Sequence, residues 1–515
     1  MAGLAVAVGM SAQAPPLDVL VVDGQIVDGT GAEPFVGDVH VRGDRIVAVQ
    51  RAGAPRPPAA RVIDATGLVV APGFIDPHTH ALEDLSNPAR RANVNYLMQG
   101  VTTVFAGNDG EGPLDTGAVL RRLQERGVGT NVALFVGHGT VRRAVMGMSA
   151  SAPSAAQLER MKALVGAAVD GGALGLSTGL YYAPGSFART EEVVALARVV
   201  ASKGGVYDTH MRDESSYTIG LLGSIEETLR IGRDAGLPVH ISHIKCLGTD
   251  VWRQSQDAIA LIQRARAEGT LVTADQYPYD ASGTSVGAAL LPRWAEEGGR
   301  QALLDRIADA QTRRRLLAEM EQNLARRGGA GALLITGSSE TPLVGKRLDA
   351  IAREKGVTPL DAAIAIIAAG DADVASFNMT DEDIVNFMRQ DWVMTGSDGS
   401  SGHPRKYGTF PRKFAEYVFR RHVLSLTEAV RVSSALTAET FRLVDRGRLF
   451  PNYFADIVIF DRSTFIDRAT YEEPDRLATG VKMLLVNGVL VIEDGKYGGK
   501  LAGRALKKRA SPAPA

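Results

Sequence analysis

Residues 73–80 read GFIDPHTH. An apolar run that begins at Val69 breaks at Pro72-Gly73, resumes, and ends in two histidines separated by one residue. In a strand, side chains at i and i+2 leave the same face, so His78 and His80 would point the same way from a strand end. Two satisfied polar residues account for such a pair as readily as a cation site does. The choice depends on whether the pattern recurs.

Seven further runs repeat it: VTTVFAG (101–107), VALFVGH (132–138), ALGLSTG (173–179), GVYDTH (205–210), PVHISHIK (238–245), LVTADQY (271–277) and WVMTGSD (392–398). Between them lie Ala-rich, charged stretches of helical period, such as RTEEVVALARVVASK (189–203) and SIEETLRIGRDAG (224–236). Eight strand-then-helix units predict a TIM barrel over residues 73–445, with a doubly wound sheet as the rival arrangement. The gap between the seventh and eighth strands is too long for one crossover. Residues 292–345, which include LLDRIADAQTRRRLLAEMEQNLARR, predict an inserted helical segment placed where barrel enzymes carry lids.

The two ends of the chain resemble each other in kind. Residues 17–50 alternate and turn through Asp-Gly and Gly-Asp, while ADIVIFD (455–461) and VKMLLVNGVLVIEDGK (481–496) give strands joined by Asn487-Gly488, a strong hairpin signal. Each segment is too small to stand alone, so one β domain formed by 17–72 and 446–500 is expected. Before it, MAGLAVAVGMSAQAPP has a short apolar stretch and an Ala12-Gln13-Ala14 cleavage pattern, which predicts a signal peptide over 1–16 and export to the periplasm or beyond; a positive start is lacking, and a disordered Ala-rich leader on a cytoplasmic protein is the alternative. Residues 501–515 are expected to be a disordered tail.

Composition narrows the chemistry. The chain has 515 residues and 45% hydrophobic content, enough for a large core. Its formal net charge of −1 gives no electrostatic reason for nucleic acid or an anionic membrane as partner. No apolar run approaches the roughly 20 residues that cross a bilayer. The single cysteine, Cys246, excludes an internal disulfide and a thiolate-based metal site, leaving histidines and carboxylates as ligands.

A barrel collects its functional groups at the C-terminal ends of its strands. There the sequence places His78 and His80, Asp109 in GNDG, His210, His243 and Asp398 in GSDGS. Four of nine histidines in strand-end positions predict a metal centre. Strand parity in PVHISHIK groups residues 241, 243 and 245, and a rim lysine at 245 favours that face, so His243 is the expected ligand and His240 a polar core residue. His138, at the end of the third strand, reads as supporting or structural, His403 as a loop residue, and His40 and His422 as surface or packing residues. Imidazole and carboxylate donors without thiolate suit zinc, one or two ions per chain. Water acidified by such an ion is a nucleophile at neutral pH, and Asp398 could take its proton and return it to a leaving amine.

Together PGFIDPHTH, GVTTVFAGNDG, GLSTGLYYAPGSFARTEE, THMRDES, ISHIK, DQYPYDAS, TGSDGSSGHPRKYGTFPR and DRGRLFPNYFADIVIFD resemble the N-acyl-D-amino-acid deacylase (D-aminoacylase) family of the amidohydrolase superfamily, in this order and over about residues 17–500. The resemblance implies a distorted TIM barrel with a small β-sandwich made from both termini and a lid-like insertion. It implies that His78 and His80 hold a weaker metal, that His210 and His243 hold a tighter one, and that Asp398 is catalytic. It places Lys245 and Tyr279 on the substrate carboxylate, Tyr182 at the substrate pocket, Arg405 opposite an acidic side chain or carboxylate, and Arg293, with Arg300 as the other choice, on the α-carboxylate. D-stereochemistry comes from the resemblance alone. One departure is the GNDG motif: family members commonly read GNCG, and a carboxylate at 109 can bridge two ions through its two oxygens.

The expected partner is therefore a small carboxylate-bearing amide. The same machinery would serve a cyclic amide, an unusual dipeptide or a lactone, and a non-catalytic binding protein on the same barrel is the alternative from another class. The basic residues themselves have a plainer reading, as ion-pair partners of Asp213, Glu214 or Asp280.

Overall fold

A computed structural model describes residues 16–508. The expected leader falls, except for Pro16, outside the described residues. Eight parallel strands form the barrel: Phe74–Asp76, Val101–Ala106, Asn131–Leu134 continued by Val136–Gly137, Gly175–Gly179, Val206–His210, Val239–Ile241, Val272–Gln276 and Val393–Thr395. Each pairs in parallel with the next, with a register shift at Phe74/Ile75 in the first pair, and a parallel bridge between Thr79 and Gly399 brings the eighth strand back to the first. The doubly wound alternative is thereby replaced by the closed barrel.

Helices cover the barrel because their apolar stripes have nowhere else to go. Thr190–Ser202 buries Val193, Leu196, Ala197 and Val200, and Gly220–Ala235 buries Ile225, Leu229 and Ile231. These pack with the outward-facing Leu176, Tyr207, Val239 and Ile241 of the strands. Each large aliphatic side chain so buried contributes about 1.5–3 kcal/mol. Local signals mark the helix ends: Ser154 and Gln157 form a reciprocal capping box at the start of Ala155–Asp170, and Gly236 ends Gly220–Ala235 in the left-handed conformation.

Inside the barrel, Phe105, Phe135 and Met394 pack with Phe441, whose ring stands 5.0 Å from Phe105 in an edge contact. This apolar plug fills the interior beneath a polar layer in which His240 Nε2 lies 2.9 Å from Asp275 and Asn108 donates to Asp208. Polar chemistry is thus confined to one mouth of the barrel.

The β domain is a nine-stranded sheet drawn from both ends of the chain. The N-terminal and C-terminal parts meet where Val69–Pro72 pairs antiparallel with Ile457–Phe460. The Asn487-Gly488 hairpin forms as read, with φ of 48° and 79° at the two turn residues. The insertion is larger and more mixed than expected. It extends over residues 281–377 and carries a three-stranded antiparallel sheet (Ala281–Ser285, Ala372–Phe377, Leu333–Ser338) beside its helices. Helical periodicity found only its middle. Residues 501–508, expected in a disordered tail, are ordered: Gly503 and Leu506 donate to the Val128 and Val132 carbonyls, so this segment lines the edge of the third barrel strand, and the rest of the expected tail lies outside the described residues. Those main-chain groups satisfy one another, which composition alone does not reveal.

Asp456 locks the β domain to the barrel. Its carboxylate accepts from the Asn487 amide (2.7 Å), Asn131 Nδ2 (3.2 Å) and Arg446, and all four residues are buried. Replacing one member of a buried ion pair leaves the other charge uncompensated. Asp456→Ala is expected to lower unfolding free energy by about 3–5 kcal/mol, read as a shifted denaturant midpoint; a shift under about 1 kcal/mol would mean that the junction is held by its apolar contacts.

Candidate active site

The strand ends bring two donor groups together. His78, His80, Asp109 and Asp398 form one, and Asp109, His210 and His243 the other, with the ligand-type atoms of each group within 4.8 Å of one another. Asp109 belongs to both. Its Oδ2 lies 3.3 Å from His78 Nε2 and 3.4 Å from His80 Nε2, while its Oδ1 lies 3.5 Å from His243 Nε2 and 3.8 Å from His210 Nδ1. Asp398 Oδ1 lies 3.1 Å from His80 Nε2, and its Oδ2 lies 2.8 Å from Arg405 Nη1.

Three of these residues hold uncommon backbone conformations. Asp109, His243 and Asp398 have φ of 57°, 36° and 47°. Non-glycine residues pay for the left-handed region, and they stay there when their surroundings over-determine them. Here the Asp398 amide donates to the His78 carbonyl (2.9 Å) and the His243 amide to Asp275 Oδ1 (3.1 Å). The parity rule used for His243 does not operate, because the strand stops at Ile241 and His243 sits on the turn beyond. That turn aims His243 into the mouth, while His240 also faces inward, one layer lower, between Thr273 and Asp275.

The donors fit a divalent cation. Asp109 Oδ1 is buried without a hydrogen-bond partner and points between the two imidazoles of the second group. Burial opposes ionisation of Asp109, yet His78 and its neighbouring imidazoles hold the carboxyl well below its usual range. Asp398 is likewise held down, with Arg405 and His243 outweighing burial. Burial works against charge on His80, but Asp109 and Asp398 push it up to about 10. Protons on imidazole thus satisfy the acids where a metal would otherwise do so. Burial takes His210 down to about 4, giving a neutral nitrogen suited to ligation.

Glu214, four residues after His210, was not singled out as a site residue, and it organises the second group. Its Oε1 accepts from Lys245 Nζ (2.6 Å) and lies 3.0 Å from His243 Nδ1, and its Oε2 lies 3.8 Å from His210 Nε2. It therefore touches both imidazoles on the nitrogens turned away from Asp109, as carboxylates behind metal-bound histidines do. The plainer reading of Lys245 holds to this extent: a protein carboxylate already pairs with it.

A cavity of about 570 Å³ opens over these groups. Lys245, Tyr182 and Arg405 are on its wall, and the Tyr182 ring stands 4.8 Å from that of His210. Two expected substrate residues are not. Tyr279 faces the core, its hydroxyl 3.5 Å from the Pro404 carbonyl and its ring under Arg412, and Tyr277, two residues earlier on the chain, takes the wall position. Arg293 is tied to Glu296 (2.9 Å) and to the Ala288 and Leu291 carbonyls, and its guanidinium lies over the outer side of this wall, 4.5 Å from the Tyr181 ring. Arg327 and, at the exposed rim, Arg300 line the cavity instead. Nothing in the run LARRGG marks Arg327, because only the insertion's packing carries it to the barrel mouth. His403 lines the cavity from its loop, and His138 is buried against Glu192 (2.9 Å) outside both donor groups.

The sequence and the structure both have close counterparts. The model of the Amidohydrolase family matches residues 61–492. The D-aminoacylase of Alcaligenes xylosoxydans xylosoxydans is 35% identical, covering 96% of this chain and 99% of its own, and the N-acyl-D-glutamate deacylase of the same organism is 33% identical, covering 97% and 98%. The crystal structure of N-acyl-D-glutamate deacylase from Bordetella bronchiseptica, complexed with zinc and a phosphonate mimic of the tetrahedral intermediate, superposes with a TM-score of 0.82 at 33% identity, covering 96% of this chain and 100% of that one.

Asp109→Ala removes a donor common to both groups. It is expected to weaken zinc binding by more than about 100-fold, beyond what loss of a group behind a ligand costs, and to lower the zinc content per chain found by elemental analysis; unchanged stoichiometry would make Asp109 a turn residue only.

Proposed function

Because the chain belongs to the amidohydrolase family and carries the paired donor groups just described, we propose that it hydrolyses the amide bond of N-acyl-D-amino acids, releasing the free D-amino acid and a carboxylic acid with zinc as its metal. The observation that carries this reading is the sharing of Asp109 between two donor groups at the floor of one cavity. The D-configuration and the linear amide follow from relatives that match along nearly the whole chain.

His78, His80, Asp109, His210 and His243 would hold the metal, which supplies a Lewis acid and a lowered pKa for water when bound. The chain's own residues do the rest. Asp398 is ionised and buried at the cavity floor, placed to accept a proton from the attacking water and to pass it to the leaving nitrogen, one carboxylate acting as base and then as acid. Arg405 steadies that carboxylate from the side away from His80. Glu214 sets the rotation of His210 and His243 and pairs with Lys245 beside them. Tyr182 packs over His210 and shields the reacting group from bulk water.

Three outcomes test this reading. N-acetyl-D-amino acids should release free amine while their L-enantiomers do so far more slowly; silence on every D substrate, with turnover of a cyclic amide, would replace the reading. Chelation should abolish turnover and added zinc restore it. Asp398→Asn should keep its zinc and lose about 10²–10⁴ in kcat; full activity in that variant would remove Asp398 from proton transfer.

A further inference from the structure

The donors at the barrel mouth stand on a layer of three carboxylates that take no part in the hydrolysis. Asp76, Asp208 and Asp275, on the first, fifth and seventh strands, are fully buried. Asp76 Oδ1 accepts from the amides of His78 (3.2 Å) and Ser397 (3.0 Å). Asp275 Oδ1 accepts from the His243 amide (3.1 Å), and its Oδ2 lies 2.9 Å from His240 Nε2. Asp208 uses both oxygens on side chains: Oδ2 accepts from Asn108 Nδ2 (3.1 Å) and Oδ1 from Ser242 Oγ (2.9 Å).

Taking a carboxylate out of water is expensive, and apolar residues of similar size often serve stability as well. Where the three acids spend their hydrogen bonds is therefore informative. Apart from His240, every partner is a member of the two donor groups or stands immediately before one: His78, His243, Ser397 before Asp398, Asn108 before Asp109, and Ser242 before His243. A polar layer that served only the packing of the barrel would have no reason to gather its bonds there.

Asp208 differs from the other two. Asp76 joins the first and eighth strands, and Asp275 the seventh and sixth, which are already neighbours. Asp208 and Asn108 belong to the fifth and second strands, with the third and fourth between them, and those two supply no donor. The same Asn108 Nδ2 also donates to the Pro77 carbonyl (3.0 Å), beside His78. Main-chain pairing fixes only adjacent strands, so this side-chain crossbar is what ties one side of the mouth directly to the other. Asn108 and Ser242 also precede Asp109 and His243, whose φ values are 57° and 36°. Such conformations cost on the order of 1–3 kcal/mol each and persist where their surroundings hold them.

We infer that Asp208 is a positioning residue for the zinc centre: through Asn108 and Ser242 it sets the separation of Asp109 from His210 and His243 before a metal arrives. Donors already in place bind without the cost of being ordered. The inference rests on the reading that these donors hold zinc.

The test measures zinc affinity, by competition with a chromophoric chelator, for the full chain and three variants. Affinity is the difference between loaded and metal-free folded protein. A residue that serves only the fold contributes equally to both and leaves it unchanged. Asp208→Ala removes both bonds and should weaken zinc binding on the order of 10–100-fold. Asp208→Asn should retain most of the affinity, because its Oδ1 still accepts from Asn108 and its Nδ2 can donate to the Ser242 hydroxyl. Ser242→Ala removes one bond and should weaken zinc by a smaller factor than D208A. Unchanged affinity in D208A makes Asp208 a core residue only, and D208N as weak as D208A assigns the effect to charge; either result overturns the inference and leaves the zinc reading in place. An unaltered protein that binds no zinc rejects that reading and the inference with it. If D208A does not fold, S242A decides: a weakened affinity upholds the crossbar and an unchanged one overturns it.

Discussion

Asp109 presents one oxygen to His78 and His80 and the other to His210 and His243. A single carboxylate can do this only if strands far apart along the chain end side by side. Closure of the barrel provides that: the first strand lies against the second and, through Thr79 and Gly399, against the eighth, while the fifth and sixth complete the opposite wall. The plug of Phe105, Phe135 and Phe441 beneath gives the polar groups one side from which water can reach them. Everything else at the mouth is arranged around that shared acid.

The site concentrates charge, and its stability depends on matching. Acids outnumber permanent cations at the cavity, and protonated imidazole or bound metal makes up the difference. Glu214 and Asp398 then each restrain a basic residue that would otherwise repel the cation, Lys245 in one case and Arg405 in the other. Strained backbone at Asp109, His243 and Asp398 belongs to the same arrangement. Those conformations persist because the amides of Asp398 and His243 are engaged by the neighbouring strands.

The insertion adds what the barrel lacks. Its helices pack on their own core, from Leu290 and Leu316 to Ile366, and that core carries Arg327 and an apolar wall over the metal donors. A barrel of the same strands without it would keep its donor groups but would lose that wall of the cavity.

The strands and their metal donors were legible in the sequence because both obey short-range rules. Apolar runs of five or six residues ending in His or Asp announce a barrel rim, and Asn487-Gly488 announces a hairpin, whatever surrounds them. Side-chain facing was not legible where the strand stopped early: parity favoured His243 for a reason that fails at Ile241, although the turn beyond carries it into the donor group, and the resemblance pointed to Tyr279 where Tyr277 lines the cavity. The partners of charged residues lay beyond it too. Glu214 pairs with Lys245, Asp398 with Arg405, and Arg293 with Glu296, and none of these follows from spacing, since ion pairs are settled by which rotamers the packed neighbours allow. Local pattern therefore determined the barrel, its order of strands and the chemistry of its rim. Only the tertiary structure decided which basic groups meet a counter-charge, because that depends on the whole set of neighbours brought together when the chain packs.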